Sequence, residues 1–380
     1  MKVPKLIQES KLNKSVILCI MLMTRVLLAV CALSISYLPF AHAAEPLSQG
    51  TRMKLIKTLS GNLSPKSVLS SGSGLVSAHN MMYNHTVTIY DSNTLELLST
   101  VKDSVDLRTL ANKKYSGNYR GAPVEGAFSP DNKYLYFTNY AMYGKGFTKE
   151  GHDTCSPASG YDTSFLSRID LNTYKIDAVY PVGSVPKVVK VTPDNKYILV
   201  SNWCSYTLSV ISIAEQKVVR SIKIGRYPRG IVVTNDSAFA YIAEMGGNRL
   251  HRINLSTFEH THIPIGSNPR ALVLSPDNKT LYATLNLSGQ IAAWDLVANK
   301  SIGKTKVGQA ARSLDISSDG TALFVTSYKS GTVSKVRTSD LKVLQTIKVC
   351  SEPIGISYDA PTARTWVACY AGSVKVFANE

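Results

Sequence analysis

The sequence predicts an all-β fold, a seven-bladed β-propeller with four-stranded blades. Five prolines, Pro123, Pro186, Pro228, Pro269 and Pro353, each lie 17 residues before the end of a predicted strand, and Ala311 occupies the same place before Tyr328. The resulting period is 41 or 42 residues, the size of one four-stranded blade. Seven segments have the apolar pattern of a second strand: 75–80, 135–140, 198–203, 241–245, 281–286, 323–328 and 366–370.

Blade five shows how one repeat is built. Residues 271–274 form a short innermost strand, and Pro-Asp-Asn-Lys at 276–279 forms a turn in which proline sets φ and the acid and amide bond to their own backbone. Residues 281–285, 290–295 and 300–307 are the next three strands, with apolar or β-branched residues at alternating positions.

The ring is predicted to close with one strand from the amino-terminal part of the chain. The seventh blade runs out after its third strand, residues 373–377. Residues 53–59 resemble 344–349, the fourth strand of blade six, so they are expected to complete blade seven. Such closure leaves no open sheet edge.

Two insertions depart from the period. Asp91 lies 32 residues before Pro123, and Tyr140 lies 30 residues before Asp170, where the repeat predicts 16 and 9. Both insertions, 102–118 and 142–163, belong to connections that open on one face of a propeller. We expect them side by side over one mouth, where long loops on a rigid scaffold usually carry function.

Residues 1–43 are predicted to be a signal peptide, with residues 44–380 as the propeller domain. A basic start, an apolar run at 26–40 and Ala-His-Ala at 41–43 predict cleavage before Ala44 and a periplasmic or secreted protein. A retained anchor is the alternative, and Met21 or Met23 would start a more compact signal; after cleavage no transmembrane segment is expected. The net charge of +16 favours anionic partners, although it also serves solubility.

Four cysteines follow the leader, and an even number in an oxidising compartment suggests two disulfides. Four cysteines allow three pairings. Propeller geometry favours Cys155–Cys204, which would hold the second insertion, and Cys350–Cys369.

The repeat, best seen at 186–202, 228–254 and 269–295, resembles the YVTN-type β-propeller repeat over nearly all of 53–377. The resemblance implies a seven-bladed ring. Proteins similar in this way include periplasmic and cell-surface binding propellers, one branch of which binds DNA, as well as lactonase-like enzymes and quinone-linked dehydrogenase subunits. Fold alone does not choose among them.

The residue after each repeat proline starts an innermost strand, near the channel. Five of these residues are basic: Lys66, Lys187, Arg229, Arg270 and Arg312. The ends of the second strands add four aromatic rings: Tyr140, Trp203, Tyr328 and Tyr370. A positive ring interleaved with aromatic faces suits a phosphate or carboxylate on a flat group, single-stranded nucleic acid included. The alternative is that these arginines pair with neighbouring blades as part of the repeat.

A metal site is the less favoured interpretation, and no cofactor is expected. Oxygens near the mouth could hold Ca²⁺, as in lactonase-like propellers, but the adjacent arginines oppose a cation. These oxygens belong to Glu125, Asn139, Asn202, Glu244 and Asn286. The histidines are interpreted as surface residues without ligand spacing: His79, His85, His251, His260 and His262.

The sequence shows no nucleophile elbow, Cys-x-x-Cys pair or phosphate-binding glycine loop. We therefore predict a monomeric binding protein that takes an anionic small molecule or macromolecule at the mouth. Two alternatives stay open: a lactonase-like hydrolase with a cation on Glu125, Asn202 and Glu244, and a structural protein of the cell envelope.

Overall fold

A computed structural model describes residues 52–379, in which 29 strands form seven antiparallel sheets. The strands of blades one to three are β2 (Pro65–Ser70), β3 (Leu75–Asn80), β4 (Thr86–Asp91), β5 (Leu97–Lys102), β6 (Ser104–Asp106), β7 (Asn118–Phe128), β8 (Tyr134–Tyr143), β9 (Ser164–Asp170), β10 (Lys175–Val182), β11 (Pro186–Val191), β12 (Tyr197–Asn202), β13 (Thr207–Ser212) and β14 (Lys217–Lys223). One short helix, α1 (Leu107–Leu110), follows β6.

The remaining blades follow the same order from the channel outwards. Their strands are β15 (Pro228–Val233), β16 (Phe239–Glu244), β17 (Leu250–Asn254), β18 (His260–Ile263), β19 (Pro269–Leu274), β20 (Thr280–Leu285), β21 (Gln290–Asp295), β22 (Lys300–Lys306), β23 (Ala311–Ile316), β24 (Ala322–Ser327), β25 (Thr332–Arg337), β26 (Val343–Lys348), β27 (Pro353–Asp359), β28 (Arg364–Cys369), β29 (Ser373–Asn379) and β1 (Met53–Leu59). Short 3-10 turns lie at Pro157–Ser159 and Ala360–Thr362.

The predicted closure is confirmed. Strand β1 pairs antiparallel with β29, with Met53 opposite Asn379 and Leu59 opposite Val374. Each innermost strand contacts the innermost strand of the next blade, and β27 contacts both β23 and β2. The ring therefore joins the two ends of the described chain in one sheet.

The core lies between the blades. Within residues 52–379, seven apolar clusters each combine side chains from two adjacent blades. Trp366 of blade seven, for example, is fully buried against Tyr90 of blade one, with ring centroids 6.2 Å apart. Because every sheet is apolar on both faces, each blade depends on its two neighbours for burial.

The predicted turn between the first and second strands recurs with the same hydrogen bond. A serine or threonine donates to the aspartate two residues later at 2.6 Å, as in Ser129–Asp131, Thr192–Asp194 and Ser275–Asp277. The same hydroxyl accepts from the first backbone amide of the second strand, for example from Tyr134. These bonds hold the register of the two innermost strands.

Blade two departs from the four-stranded prediction. Part of the first insertion forms β6, which pairs with the early residues of β7 as a fifth strand. Both β7 and β8 extend beyond the predicted strands because the two insertions bury apolar residues against each other, with Tyr115 stacked on Phe147 at 6.0 Å between centroids. The insertions thus lie side by side, as predicted.

The predicted signal peptide, residues 1–43, lies outside the described residues. Within residues 52–379, no α-helix has the length and apolar character needed to cross a bilayer.

Candidate functional site

The repeat sets the position of each basic residue at the mouth through its backbone. The carbonyls of Lys187, Arg229 and Arg312 each accept a hydrogen bond from a hydroxyl on the second strand of the preceding blade. The donors are Thr138 at 2.7 Å, Ser201 at 2.9 Å and Thr284 at 3.3 Å. Each hydroxyl lies two residues before the repeat position at Tyr140, Trp203 or Asn286, so the repeat places the next blade's cation at an equivalent position along the channel.

A second backbone feature recurs just before these strands. The residue that precedes the proline, or Ala311, has a left-handed φ of 52° to 59° in five blades, at Val185, Tyr227, Asn268, Ala310 and Glu352. This conformation is uncommon for residues other than glycine and costly for the β-branched Val185. The five turns therefore retain local strain at the mouth of the propeller.

The five basic side chains lie close together, and four of them are buried. Lys66, Lys187, Arg229 and Arg270 are 8 %, 3 %, 5 % and 6 % exposed, and Arg312 is half-buried. We call these five residues the cation ring.

The pKa shifts of these side chains show that their charges act on one another. Burial is the main cause that lowers the pKa of Lys66 to about 6, and the positive charges of the other four residues lower it further. Burial also lowers the pKa of Lys187 to about 7, although the carboxylate of Asp153 opposes this shift. Burial and the charges of Arg229 and Arg312 lower the pKa of Arg270. Arginine stays protonated at accessible pH, so this shift measures the cost of holding its charge.

The cation ring lacks the anions needed to balance it. Lys187 forms an ion pair with Asp153 at 3.0 Å, and Arg229 forms one with Glu125 at 3.3 Å. Lys66, Arg270 and Arg312 form no ion pair with a carboxylate of residues 52–379.

The other contacts of these three side chains are weak. Arg270 donates from Nη1 to the sulfur of Met245 at 3.6 Å, and the buried Nε of Arg312 has no hydrogen-bond partner in residues 52–379. A buried charge without a partner is strongly unfavourable. The site therefore carries an unbalanced positive charge.

Aromatic rings cover part of this charge. The Nζ of Lys187 lies 4.2 Å from the ring centre of Tyr140 and 5.3 Å from that of Trp203. The guanidinium of Arg312 lies 4.0 Å from the ring centre of Tyr328, and the Nζ of Lys66 lies 5.0 Å from that of Tyr370. The four predicted aromatic residues thus lie against the cation ring. Such contacts moderate the repulsion without neutralising it.

Trp203 has a mainly structural role within this group. Its indole stacks on Tyr227 with centroids 4.4 Å apart, and its Nε1 donates to the carbonyl of Asp153 at 2.9 Å. Trp203 thereby holds the second insertion against the mouth.

Both predicted disulfides are confirmed. Cys155–Cys204 joins the second insertion to blade three, and Cys350–Cys369 joins two parts of blade seven. The hydroxyl of Tyr206 also donates to the carbonyl of Cys155 at 2.7 Å.

The Cys155–Cys204 disulfide, together with the hydrogen bonds of Trp203 and Tyr206 to the second insertion, brings Asp153 to the mouth. Partial desolvation would raise the pKa of Asp153, but the charge and hydrogen bond of Lys187 outweigh it and lower that pKa. The Asp153 side chain is 69 % exposed, whereas that of Lys187 is 4 % exposed. The carboxylate therefore reaches the cation ring from the solvent side.

Two cavities adjoin the cation ring. The central channel is lined by all seven innermost strands and by Arg229, Arg270 and Arg312. A larger open depression, which we call the side pocket, lies between blade one and the second insertion. Its aromatic walls are Tyr83, Tyr140, Tyr143 and Tyr161. Tyr140 is shared between the side pocket and the cation ring.

Three of the five residues considered for Ca²⁺ have oxygens with separate local partners, whereas the amide oxygen of Asn139 is buried and has no hydrogen-bond partner within residues 52–379. Glu125 pairs with Arg229, and Glu244 accepts from Arg249 at 2.7 Å. The amide oxygen of Asn202 accepts from the Gly183 amide. The amide nitrogen of Asn286 donates to the Ala311 carbonyl, and that of Asn139 donates to Ser167.

The interpretation of the histidines as surface residues is wrong for two of them. His79 is fully buried, with Nδ1 2.9 Å from the Ser67 hydroxyl, and burial lowers its pKa to about 3. His251 is 3 % exposed. Both lie on strands, where period-two alternation turns their side chains into the space between blades.

Sequence reasoning missed two contributors to the mouth. Tyr227 directly precedes the repeat proline Pro228, and its left-handed conformation directs the ring onto Trp203. Asp153 lies in an insertion without a repeat, so no periodic signal could place it beside Lys187.

The chain is a seven-bladed β-propeller protein. Residues 152–240 match the family model of a "YNCE-like beta-propeller", and residues 249–355 match that of a "Lactonase, 7-bladed beta-propeller". With the seven blades of the structure, these matches confirm the predicted resemblance to seven-bladed propeller families.

A solved structure of the Kuenenia stuttgartiensis Hydrazine Synthase is similar, with a TM-score of 0.65 and 16 % sequence identity over 84 % of this chain and 96 % of that chain. At this identity the likeness shows the fold alone. No curated protein matches the sequence.

Proposed function

We propose that this protein binds an anionic ligand at the cation ring, in the periplasm or outside the cell. The observation that carries the proposal is the charge balance of the site: five clustered basic side chains face two carboxylates, and three of them, Lys66, Arg270 and the half-buried Arg312, have no carboxylate partner within residues 52–379. A ligand with two or three negative charges would balance the site. The two disulfides support an oxidising compartment.

The surroundings of the cation ring favour a ligand that carries its charge on a flat group. A phosphate or carboxylate among Lys66, Arg270 and Arg312 would meet three side chains without a carboxylate partner within residues 52–379, one of which, Arg312, has a buried Nε without an acceptor there. A ring attached to that group could enter the side pocket beside Tyr140 and Tyr143. Small phosphorylated or polycarboxylated molecules have this chemistry, and so does single-stranded nucleic acid.

The carboxylate of Asp153 supports the same assignment. It comes from an insertion, is exposed, and pairs with a buried lysine of the ring. A carboxylate at this place supports the approach of an anion to the ring from the solvent side. A bound ligand would either use this arrangement or displace it.

A lactonase-like hydrolase remains the second candidate, because residues 249–355 match the lactonase propeller model. Such an enzyme would need a cation on Glu125, Asn202 and Glu244. Their contacts with Arg229, the Gly183 amide and Arg249 make this candidate weaker. Metal analysis of the purified protein, together with lactone turnover, separates the two functions.

The test is a thermal-shift screen with phosphate, pyrophosphate, citrate, nucleotides and an oligo-dT strand, followed by calorimetry on each hit. We expect stabilisation by at least one multivalent anion, with an affinity that falls as salt rises. Arg270→Gln should weaken binding at least tenfold, whereas Arg220→Gln, at an exposed position on the outer strand β14, should leave it unchanged.

For oligo-dT, reversing the charge of both Arg229 and Arg270 should also reduce the slope of log affinity against log salt concentration by about 0.7 for each lost phosphate contact. An equal affinity and salt slope in wild type and in a folded Arg270→Gln variant would refute the site. The absence of stabilisation by every anion in the screen would contradict the proposal as a whole.

A further inference from the structure

Three histidines converge on the outer hairpin of blade four, away from the innermost strands that carry the cation ring. His251 on β17 lies directly opposite His262 on β18. His260 lies two residues before His262, so all three rings project from the same face of the hairpin. One ligand nitrogen from each ring lies within 4.8 Å of the other two.

His251 is held in the manner of a metal ligand. Its Nε2 lies 3.2 Å from Oε2 of Glu244, and Glu244 is itself fixed by the Nε of Arg249 at 2.7 Å. The other nitrogen, Nδ1, is buried and has no hydrogen-bond partner within residues 52–379. A buried nitrogen without a partner is costly. Metal-ligating histidines characteristically bond to a carboxylate through the nitrogen that does not bind the metal.

The donor set determines which ion fits. Three imidazole nitrogens without a thiolate suit Zn²⁺, Cu²⁺ or Ni²⁺ and do not suit Ca²⁺ or Mg²⁺. Zinc–nitrogen bonds of about 2.0–2.1 Å place tetrahedral ligands about 3.3 Å apart. The exposed side chains of His260 and His262 can rotate to shorten the present distances, because no hydrogen bond from residues 52–379 restrains their rings.

The charge around the cluster permits a divalent cation. Arg249 is a fixed positive charge that acts on His262, and Glu244 neutralises it through their ion pair. The same carboxylate contacts His251, so it links the neutralised arginine to the first metal ligand. A cation on the histidines would therefore have a carboxylate in its second coordination shell.

We propose that His251, His260 and His262 bind one divalent transition-metal ion, for which Zn²⁺ is the reference. Glu244 orients His251. The fourth coordination position faces solvent, because two of the ligands are exposed. It can take a water molecule or a donor atom from another molecule.

The test uses full-length mature protein, purified without a histidine tag and dialysed against chelator. Titration with Zn²⁺ should give one equivalent of saturable binding, and Co²⁺ should give the visible absorption of a tetrahedral site. The double variant His260→Asn with His262→Asn should lose at least 100-fold in affinity. His152→Asn, an exposed histidine outside the cluster, is the control and should bind as wild type.

Glu244→Gln adds an independent readout. It should weaken binding about 10–100-fold while leaving the stoichiometry at one, as expected for a carboxylate that orients a ligand. Both His260 and His262 are exposed, so their replacement should leave the circular dichroism spectrum unchanged. Absence of saturable binding near one equivalent, or equal affinity in the double variant and the His152→Asn control, would overturn the proposal.

Discussion

Replacement of Lys66 by methionine should make the unliganded protein more stable while it weakens anion binding. Lys66 is 8 % exposed, forms no ion pair within residues 52–379, and has the ring of Tyr370 as its nearest electrostatic partner. Methionine has a similar length and no charge. The change therefore removes an unbalanced buried cation and preserves most of the packing.

The magnitude follows from the pKa shift. The pKa of Lys66 falls from 10.5 to about 6 in the folded protein. At roughly 1.4 kcal/mol per pKa unit, the charged form is disfavoured by about 6 kcal/mol relative to the unfolded chain. Exchange of buried ionic groups for apolar ones has stabilised other proteins by about 1–4 kcal/mol. We expect a gain of about 1–3 kcal/mol in the free energy of unfolding at pH 6.

The pH dependence of the free energy of unfolding separately tests whether Lys66→Met stabilises the protein. Since the folded pKa of Lys66 is lowered, the unfolded chain binds the proton more tightly between pH 6 and 10.5. Lys66 therefore makes the wild type less stable as pH falls through this range. The advantage of Lys66→Met should be greatest near pH 6 and should shrink towards pH 9.

The assay is urea unfolding at pH 6 and pH 9, with anion binding measured by calorimetry on the same samples. Lys300→Met, at an exposed position on the outer strand β22, is the control and should change neither quantity. A Lys66→Met variant that is less stable than wild type at pH 6 would refute the reasoning. An equal gain at both pH values would do the same.

Three further outcomes are expected. Anion affinity should fall as pH rises from 5.5 to 8, because Lys66 and Lys187, with pKa values of about 6 and 7, lose their protons over this range. Calorimetry in buffers of different ionisation enthalpy should show proton uptake on binding. Replacement of both residues of the Cys155–Cys204 bridge by serine should cost about 2–4 kcal/mol in the free energy of unfolding and expose residues 142–163 to limited proteolysis. Asp103→Asn should be more stable than wild type at pH 8 by about 2–4 kcal/mol, as measured by urea unfolding.

The sign of the Asp103 effect follows from its burial. Burial raises the pKa of Asp103 from 3.8 to about 8, and neither carboxylate oxygen has a partner within residues 52–379. Its contribution to stability is fully present below pH 4 and is lost as pH rises through 8. Asparagine does not titrate, so the difference between variant and wild type should be small near pH 4.

Each of these three results can also fail in a defined way. Affinity that is flat or rises from pH 5.5 to 8 would show that the two lysines do not carry the binding. Unchanged protease resistance in the reduced or serine-substituted protein would show that the bridge does not hold the insertion. A constant stability difference for Asp103→Asn at pH 4 and pH 8 would contradict its titration on folding.

Most of the fold could be predicted because it is periodic. Proline, the aspartate-containing turn and alternating apolar residues act over a few positions and recur in most blades, so local rules add up to a ring. Even the closure by residues 53–59 could be predicted, since those residues resemble the fourth strand of blade six and supply the fourth strand of blade seven. The fifth strand of blade two was not predictable, because β6 pairs across an insertion that has no repeat.

The candidate site, like the fold, could be predicted from the sequence only where it depends on the repeat. The sequence alone determined which residues begin the innermost strands, and therefore that Lys187, Arg229, Arg270 and Arg312 share one mouth. Only the tertiary structure decided that two of these cations form ion pairs, and that Arg270 and Arg312 form none with a carboxylate of the described residues, 52–379. It also decided the meeting of His251 with His260 and His262. Such contacts depend on which side chains from different strands and loops face each other. This is a long-range property that local sequence spacing does not encode.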